Sequence, residues 1–157
     1  MIMRKIINFL PFLLLGSVFL FSCGKTYVPI PSTDGSTLQV LHVTPSDTVV
    51  LDSTTANLEN DAIDFIWSNV NDNGKNAHSY TLQIDAANGD FSNPYSIYVG
   101  NLVQSYDNED FNAIAINLGL TPFVKGPLKA RIAYLTSANT TQYSQIITFF
   151  VEPYGAP

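Results

Sequence analysis

Apolar and polar residues alternate along seven short segments of the chain. The segments begin at Leu38, Thr48, Ala62, His78, Tyr95, Leu128 and Tyr143. In the third segment, for example, Ile63, Phe65 and Trp67 share one side. A period of two places successive side chains on opposite faces of a strand, so each segment predicts a strand with one buried and one solvated face. Such strands are typical of antiparallel sheets that pack face to face around a common core.

One further segment has the periodicity of a helix. Its apolar residues recur at intervals of three and four, at Phe111, Ile114, Ala115 and Leu118. Asp107 or Asn108 is suited to cap its N-terminus, and Gly119 is suited to end it. We therefore predict an all-β fold, an immunoglobulin-like antiparallel β-sandwich of about seven strands with one short crossover helix.

The first 22 residues have the composition of a signal peptide. Arg4 and Lys5 form a basic start, and a mostly apolar run follows as far as Phe21. The run ends in Leu-Phe-Ser-Cys at residues 20–23, which resembles a bacterial lipobox. In a lipobox, diacylglycerol is attached to the cysteine thiol, and cleavage leaves that cysteine as the new N-terminus. Residues 1–22 are therefore predicted to be a lipoprotein signal peptide, with Cys23 as the site of lipidation.

The segment after the signal peptide predicts a tether and then one domain. Cys23 is the only cysteine in the chain, so no disulfide is expected. The alternative to lipidation is that this lone cysteine is a buried thiol without a role. The position of Cys23 directly after the apolar run favours lipidation. Residues 23–37 contain Pro29, Pro31 and Gly35 without a usable periodicity, which predicts an extended tether. Residues 38–157 then suffice for one sandwich domain that is anchored to a membrane without spanning it.

The charge of the chain argues against one class of partner. The whole sequence has a formal net charge of −6. Without residues 1–22, five basic residues remain against thirteen acidic ones, which gives a net charge of −8. The remaining basic residues are scattered, so no basic patch is available for a phosphate backbone. Nucleic acid is therefore not an expected partner.

Several ordered motifs are similar to those of a known family. They are Val-Val-Leu-Asp at residues 49–52, Ile-Asp-Phe-Ile-Trp-Ser at 63–68, Tyr-Thr-Leu-Gln-Ile-Asp at 80–85, Gly-Asp-Phe at 89–91, Leu-Gly-Leu-Thr-Pro at 118–122 and the closing run at 143–154. Together they resemble the N-terminal domain of SusE-type outer-membrane lipoproteins of starch-utilisation systems. The similarity extends from about Val49 to Tyr154.

The resemblance implies an immunoglobulin-like fold, a lipid anchor in the outer membrane and association with machinery that captures and imports glycans. The partners it implies are the outer membrane, other proteins of a glycan-uptake complex and polysaccharide. Members of the family carry further C-terminal domains that bind starch, whereas this sequence ends at Pro157, so no sugar-binding residue is transferred. Our first hypothesis is an accessory lipoprotein whose domain acts mainly as a spacer and docking module. The second is a structural or adhesive surface module with no glycan role.

The acidic segment from Asp85 to Asp90 is a candidate cation site. Asp85, Asn88 and Asp90 offer oxygen atoms, but calcium takes about six to eight ligands, and the next acid along the chain is Asp107. Asn88-Gly89 lies between two predicted strands and favours a tight hairpin turn, because both residue types tolerate positive φ. We predict a turn, with calcium binding as the alternative.

Other chemistry is not indicated by the sequence. His42 and His78 lie in separate segments, with no cysteine or further histidine at the spacing of a zinc site. No catalytic motif is present either. The sequence therefore predicts neither a metal nor a cofactor, and it does not predict an enzyme.

Aromatic side chains are the remaining candidates, because they can stack on sugar rings. Trp67 shares its side with apolar residues, which favours the core over a sugar platform. The last segment divides into an apolar side with Tyr143, Ile147, Phe149 and Val151 and an outer side with Ile146 and Phe150. The platforms that remain are Tyr95, Tyr98, Tyr106 and Phe150. We select Tyr98 and Phe150 as candidate ligand-binding residues.

Overall fold

The computed structural model of the protein describes residues 40–45, 48–54, 56–69, 71–72, 75–76, 79–136 and 138–155. The predicted signal peptide at 1–22, the tether at 23–37 with Cys23, and His78 lie outside these residues. Those assignments therefore stay predictions.

Eleven strands and one helix make up the described part of the chain. They are β1 (Val40–Thr44), β2 (Thr48–Val50), β3 (Asp61–Trp67), β4 (Asn71–Asp72), β5 (Lys75–Asn76), β6 (Tyr80–Ala86), β7 (Tyr95–Val99), β8 (Val103–Asp107), α1 (Asn108–Asn117), β9 (Gly126–Leu135), β10 (Thr141–Tyr143) and β11 (Ile147–Glu152).

The strands form two main sheets. One sheet has the order β1-β3-β8, and the other has six strands in the order β2-β11-β9-β6-β7, with β10 paired to β9. Strands β4 and β5 form a separate small hairpin. All pairs are antiparallel except β2 with β11, which is parallel. This order is that of an immunoglobulin-like sandwich with an added edge strand, β7, so the predicted all-β sandwich is confirmed, with more strands than the sequence indicated.

The N-terminal segment contributes to both sheets. Strand β1 pairs with β3 in the first sheet, and β2 pairs with β11 in the second. The peptide bond between Thr44 and Pro45, where β1 ends, is cis. The backbone N–H of Leu51 donates to the carbonyl oxygen of Glu152 at 3.0 Å, which extends the β2 pairing by one residue.

Aromatic rings connect the two sheets and the helix in the core. The ring of Phe65 on β3 lies 5.4 Å from that of Phe149 on β11, 6.1 Å from that of Phe111 on α1 and 6.2 Å from that of Tyr106 on β8. Trp67 is buried against Tyr80, with ring centroids 6.0 Å apart. The prediction that Trp67 belongs to the core is therefore confirmed.

The helix begins and ends where its sequence signals predicted. The side chain of Asp107 caps the N-terminus by accepting a hydrogen bond from the backbone N–H of Asp110 at 2.8 Å. At the other end Gly119 adopts a positive φ of 90°, and the backbone N–H of Leu120 donates to the carbonyl oxygen of Ala115. This left-handed residue ends the helix in the way a C-terminal glycine commonly does.

The last segment, from Tyr143, was predicted as one continuous strand. This prediction is wrong, because the segment is divided between β10 and β11. Tyr143 pairs with Ala133 and Ile147 pairs with Ala130, so four residue steps on one strand oppose three on the other. One extra residue is therefore inserted, which reverses the alternation of faces. Tyr143 is consequently 51 % exposed and not part of the core, while Ser144 is buried and its Oγ accepts a hydrogen bond from the Ile132 N–H at 2.9 Å.

The buried hydroxyl of Tyr106 is expected to make the fold sensitive to alkaline pH. Burial raises the pKa of the Tyr106 hydroxyl far above its ordinary value. Because the folded state holds this proton more tightly than the unfolded chain, its contribution is complete below about pH 10 and is lost as the pH rises above that value. We expect Tyr106→Phe to unfold at a higher pH than the wild type when ellipticity is followed through an alkaline titration. Tyr98→Phe removes an exposed hydroxyl and should leave the midpoint unchanged, and an unchanged midpoint in Tyr106→Phe would contradict the argument.

Candidate functional site

The outer face of the six-stranded sheet carries two exposed tyrosines in one row. Tyr98 on β7 pairs with Thr81 on β6, Thr81 pairs with Ala133 on β9, and Ala133 pairs with Tyr143 on β10. We call these four residues the tyrosine row. Tyr98 is 69 % exposed and Tyr143 is 51 % exposed, whereas the two side chains between them are small. Three strand spacings separate the tyrosine backbones by about 14 Å.

An arginine holds one end of the row in place. The guanidinium of Arg131 lies between two rings, with its Cζ 4.0 Å from the ring centroid of Tyr143 and 4.1 Å from that of Phe91. Its Nε donates a hydrogen bond to Oε1 of Gln83 at 2.7 Å. These two ring contacts and the hydrogen bond restrain the Arg131 side chain and, through it, the Tyr143 ring.

A shallow depression adjoins the tyrosine row. It is lined by Ser79, Thr81, Ala133, Tyr134, Leu135 and Thr141 and has a volume of about 100 Å³. Ligand pockets that enclose a small molecule have volumes of roughly 300–1,000 Å³. The hydroxyls of this depression can hydrogen-bond a polar ligand, and the tyrosines can stack on sugar rings. The face therefore has the chemistry for weak surface contact with a neutral polyhydroxylated ligand, without the depth to enclose one.

The two selected ligand-binding residues are both exposed, but the fold does not bring them together. Tyr98 lies in the tyrosine row, whereas Phe150 pairs with Pro127 at the far end of β9. Pro127 is six residues from Ala133 along the strand, which corresponds to about 20 Å. Phe150 is 40 % exposed, and Nζ of Lys125 lies 4.7 Å from its ring centroid. Tyr98 and Phe150 are thus too far apart to form one small site.

The other aromatic candidates are in the interior. Tyr106 is buried, and its ring contacts those of Phe65 and Phe111. Tyr95 is half-buried on the inner side of β7, with its ring centroid 6.2 Å from that of Tyr106. Neither is available as a sugar platform. Tyr143 is the platform that the sequence missed, because the inserted residue between β10 and β11 left no signal in the apolar pattern.

The acidic segment contains a turn, in which the backbone N–H of Gly89 donates to the carbonyl oxygen of Ala86 at 2.9 Å, as the sequence predicted. The prediction that Asn88-Gly89 is a tight hairpin joining the two strands is wrong, because the turn belongs to a wider loop. Strand β6 ends at Ala86 and β7 begins at Tyr95, so eight residues connect them. The positive φ of this loop, 62°, is at Phe91 and not at the predicted pair. Sequence reasoning failed here because it assigned the positive φ to the residue types that most commonly adopt it.

The loop is organised around the buried carboxylate of Asp85. Its oxygens accept hydrogen bonds from the backbone N–H groups of Ala86 at 2.8 Å and Phe91 at 2.7 Å. A Cβ placed on Gly89 would lie only 2.2 Å from Oδ2 of Asp85, so glycine is required by this close approach. Nζ of Lys129 donates to the carbonyl oxygen of Gly89. The carboxylate braces the loop from within, and no group of three or more potential metal ligands occurs among the described residues.

A second concave region lies beside the helix. It is lined by Glu109, Asn112, Ala113, Ile116, Asn117, Pro122 and Tyr154, with a volume of about 410 Å³. Burial raises the pKa of the Tyr154 hydroxyl, and the carboxylates of Glu109 and Asp107 raise it further, so the hydroxyl stays protonated near neutral pH. Oδ1 of Asn112 accepts a hydrogen bond from the Tyr154 N–H at 2.9 Å, which ties the C-terminal segment to the helix. This open cleft has no convergent set of catalytic groups.

Comparison with known proteins identifies the family. The model of a family described as SusE outer membrane protein matches residues 28–133, more than half of the chain. The chain belongs to the SusE outer membrane protein family. The searches of curated proteins and of solved structures found no match. The resemblance seen in the sequence is thereby confirmed, although the match starts and ends earlier than the range from Val49 to Tyr154.

Membership of the SusE family supplies the location of the protein, which is the outer membrane. SusE proteins are accessory and binding proteins of the cell surface and are not a known family of enzymes. The SusE match includes three members of the tyrosine row, Tyr98, Thr81 and Ala133, whereas Tyr143 lies beyond it. In the described part of the chain, no helix is long and apolar enough to cross a membrane.

Proposed function

We propose that the protein is a lipid-anchored accessory protein of a SusE-like system for glycan capture and uptake. The match to the SusE outer membrane family over residues 28–133 carries this proposal. Cys23 would hold the mature protein in the outer membrane through its lipid, and residues 23–37 would separate the domain from the bilayer. Other proteins of the uptake complex and polysaccharide would be its partners.

Within this system the sandwich domain acts mainly as a spacer and docking module. The outer face of its larger sheet offers two exposed tyrosines about 14 Å apart and a depression of about 100 Å³. The depression is too small to enclose a ligand, so a sugar on this face would stay largely exposed to solvent. The domain by itself is therefore a poor glycan receptor.

Affinity electrophoresis tests this division of roles. Residues 24–157 are run in native gels with and without soluble starch, and we expect little or no retardation, equivalent to a Kd no tighter than about 1 mM. Tyr98→Ala and Tyr143→Ala remove the two platforms of the tyrosine row, and Phe150→Ala removes the other selected candidate on the distant part of the same face. Strong retardation that any of these three variants abolishes would show that this domain is itself a starch receptor.

A further inference from the structure

Strand β7 is an open edge of the six-stranded sheet. It pairs with β6 on one side, and no strand in the described part of the chain pairs with it on the other. The backbone N–H and C=O groups on that side form a row that another strand can use. Soluble proteins usually block such a row with a charged side chain, a proline, a bulge or a very short strand.

The β7 edge has none of these protective features within its five residues, Tyr-Ser-Ile-Tyr-Val. Its uncharged character extends well beyond the strand, because residues 91–106 contain no Asp, Glu, Lys, Arg or His. The opposite edge of the same sheet, β2, has only three residues, and the neighbouring edge strand β8 ends in Asp107. Compared with β2 and β8, β7 is therefore the edge better suited to accept another strand.

We propose that β7 pairs in antiparallel fashion with β7 of a second copy of this chain, about a twofold axis at Ile97. The two six-stranded sheets then continue into one another across the axis. Identical strands can pair in this way because a twofold contact joins the same surface of both copies. With the axis at Ile97, all five residues of β7 find a partner.

The side chains of β7 fit this self-pairing. On the inner face, Tyr95 lies opposite Val99 of the other copy, an aromatic and β-branched pair of the kind that stabilises sheets. Ile97 lies opposite its own counterpart. On the outer face, the exposed Tyr98 lies opposite the small Ser96, so no two tyrosines compete for the same space. Because the domain is acidic, contacts through other parts of its surface would bring like charges together and repel a second copy. The β7 edge is uncharged, so pairing along it brings no like charges together.

The contact is expected to be weak in dilute solution. Five residues on each strand bury much less than the roughly 1,000 Å² typical of a stable interface. Confinement of lipid-anchored chains to one membrane raises their effective concentration and favours such a contact. This enhancement rests on the proposed anchor, but the pairing of β7 goes beyond the proposed function and is independent of any glycan role.

Cysteine cross-linking of the full-length protein in outer membranes tests the pairing and its register. One chain carries Ser96→Cys and the other carries Tyr98→Cys, both at exposed positions. The two chains have different epitope tags and are expressed in the same cells. Directly opposite residues have Cα atoms about 4.5–5.5 Å apart, which lies within the roughly 4.4–6.8 Å that a disulfide spans. We expect a disulfide-linked dimer that carries both tags on non-reducing gels. A reductant should separate it into monomers.

The controls use the same geometry. Two Ser96→Cys chains, or two Tyr98→Cys chains, would place their cysteines diagonally, about 7–8 Å apart at Cα or further, so neither variant expressed alone should cross-link efficiently. Thr148→Cys with Tyr98→Cys serves as a pair on the same face but away from the edge. The proposal is overturned if the mixed pair gives no more dimer than the wild type at normal membrane levels. Equally efficient cross-linking of a single variant would overturn the proposed register.

Discussion

Cys23→Ala is expected to abolish attachment of the protein to the outer membrane. The lipobox-like end of the apolar run makes Cys23 the predicted lipid acceptor, and it is the only cysteine in the chain. Attached acyl chains provide stable anchoring, and the mature segment contains no comparable apolar run of about 20 residues. Cell fractionation followed by immunoblotting should show Cys23→Ala chains either soluble or retained as an uncleaved precursor of higher mass.

The neighbouring residue provides a control for the lipid anchor. Ser22→Ala keeps a small residue before the cysteine and leaves the thiol intact, so its membrane recovery should equal that of the wild type. The two variants differ in whether they remove the lipid acceptor. Membrane recovery of fully processed Cys23→Ala at the wild-type level would refute lipid anchoring.

Phe65→Ala is expected to lower the free energy of unfolding by about 3–5 kcal/mol. The side chain is fully buried, and its ring contacts Phe111 on the helix, Phe149 on β11 and Tyr106 on β8. Truncation therefore leaves a cavity at the point where both sheets and the helix meet. A loss of this size is a large part of the stability of a typical domain, about 5–15 kcal/mol. Urea unfolding of residues 24–157 measures it.

The same substitution on the surface is the matched control for Phe65→Ala. Phe150→Ala removes an identical side chain from an exposed position of the other sheet and should cost less than about 1 kcal/mol. Equal losses for the two variants would contradict the assignment of the core.

Alternation and capping signals predicted most of the fold. The alternating segments became β3, β6 and β9 because their apolar sides face a common core, and the helix has the predicted ends at Asp107 and Gly119. Strand β8 was missed because only Tyr106 among its residues is buried, so its apolar pattern is weak. Its structure depends on backbone pairing with β3, which local sequence does not reveal.

The candidate site was less predictable, because it depends on register between distant segments. Tyr98 was found from its alternation, but its partner across the face, Tyr143, was assigned to the core. Only pairing with β9 reveals the extra residue that turns Tyr143 outward. Gly89 was likewise noted for its φ, whereas its role comes from the close approach of Asp85, a contact between side chain and backbone that spacing cannot indicate.

If the protein serves glycan capture at the outer membrane, as proposed, its loss should reduce the capture of starch by living cells. Cells that lack the protein are complemented with the wild type or with Cys23→Ala, and the binding of labelled soluble starch to the cell surface is measured. We expect starch binding to fall without the protein and to be restored by the wild type but not by Cys23→Ala, while uptake of free glucose is unchanged. Equal starch binding in all strains would rule out a role in glycan capture and favour a structural or adhesive role.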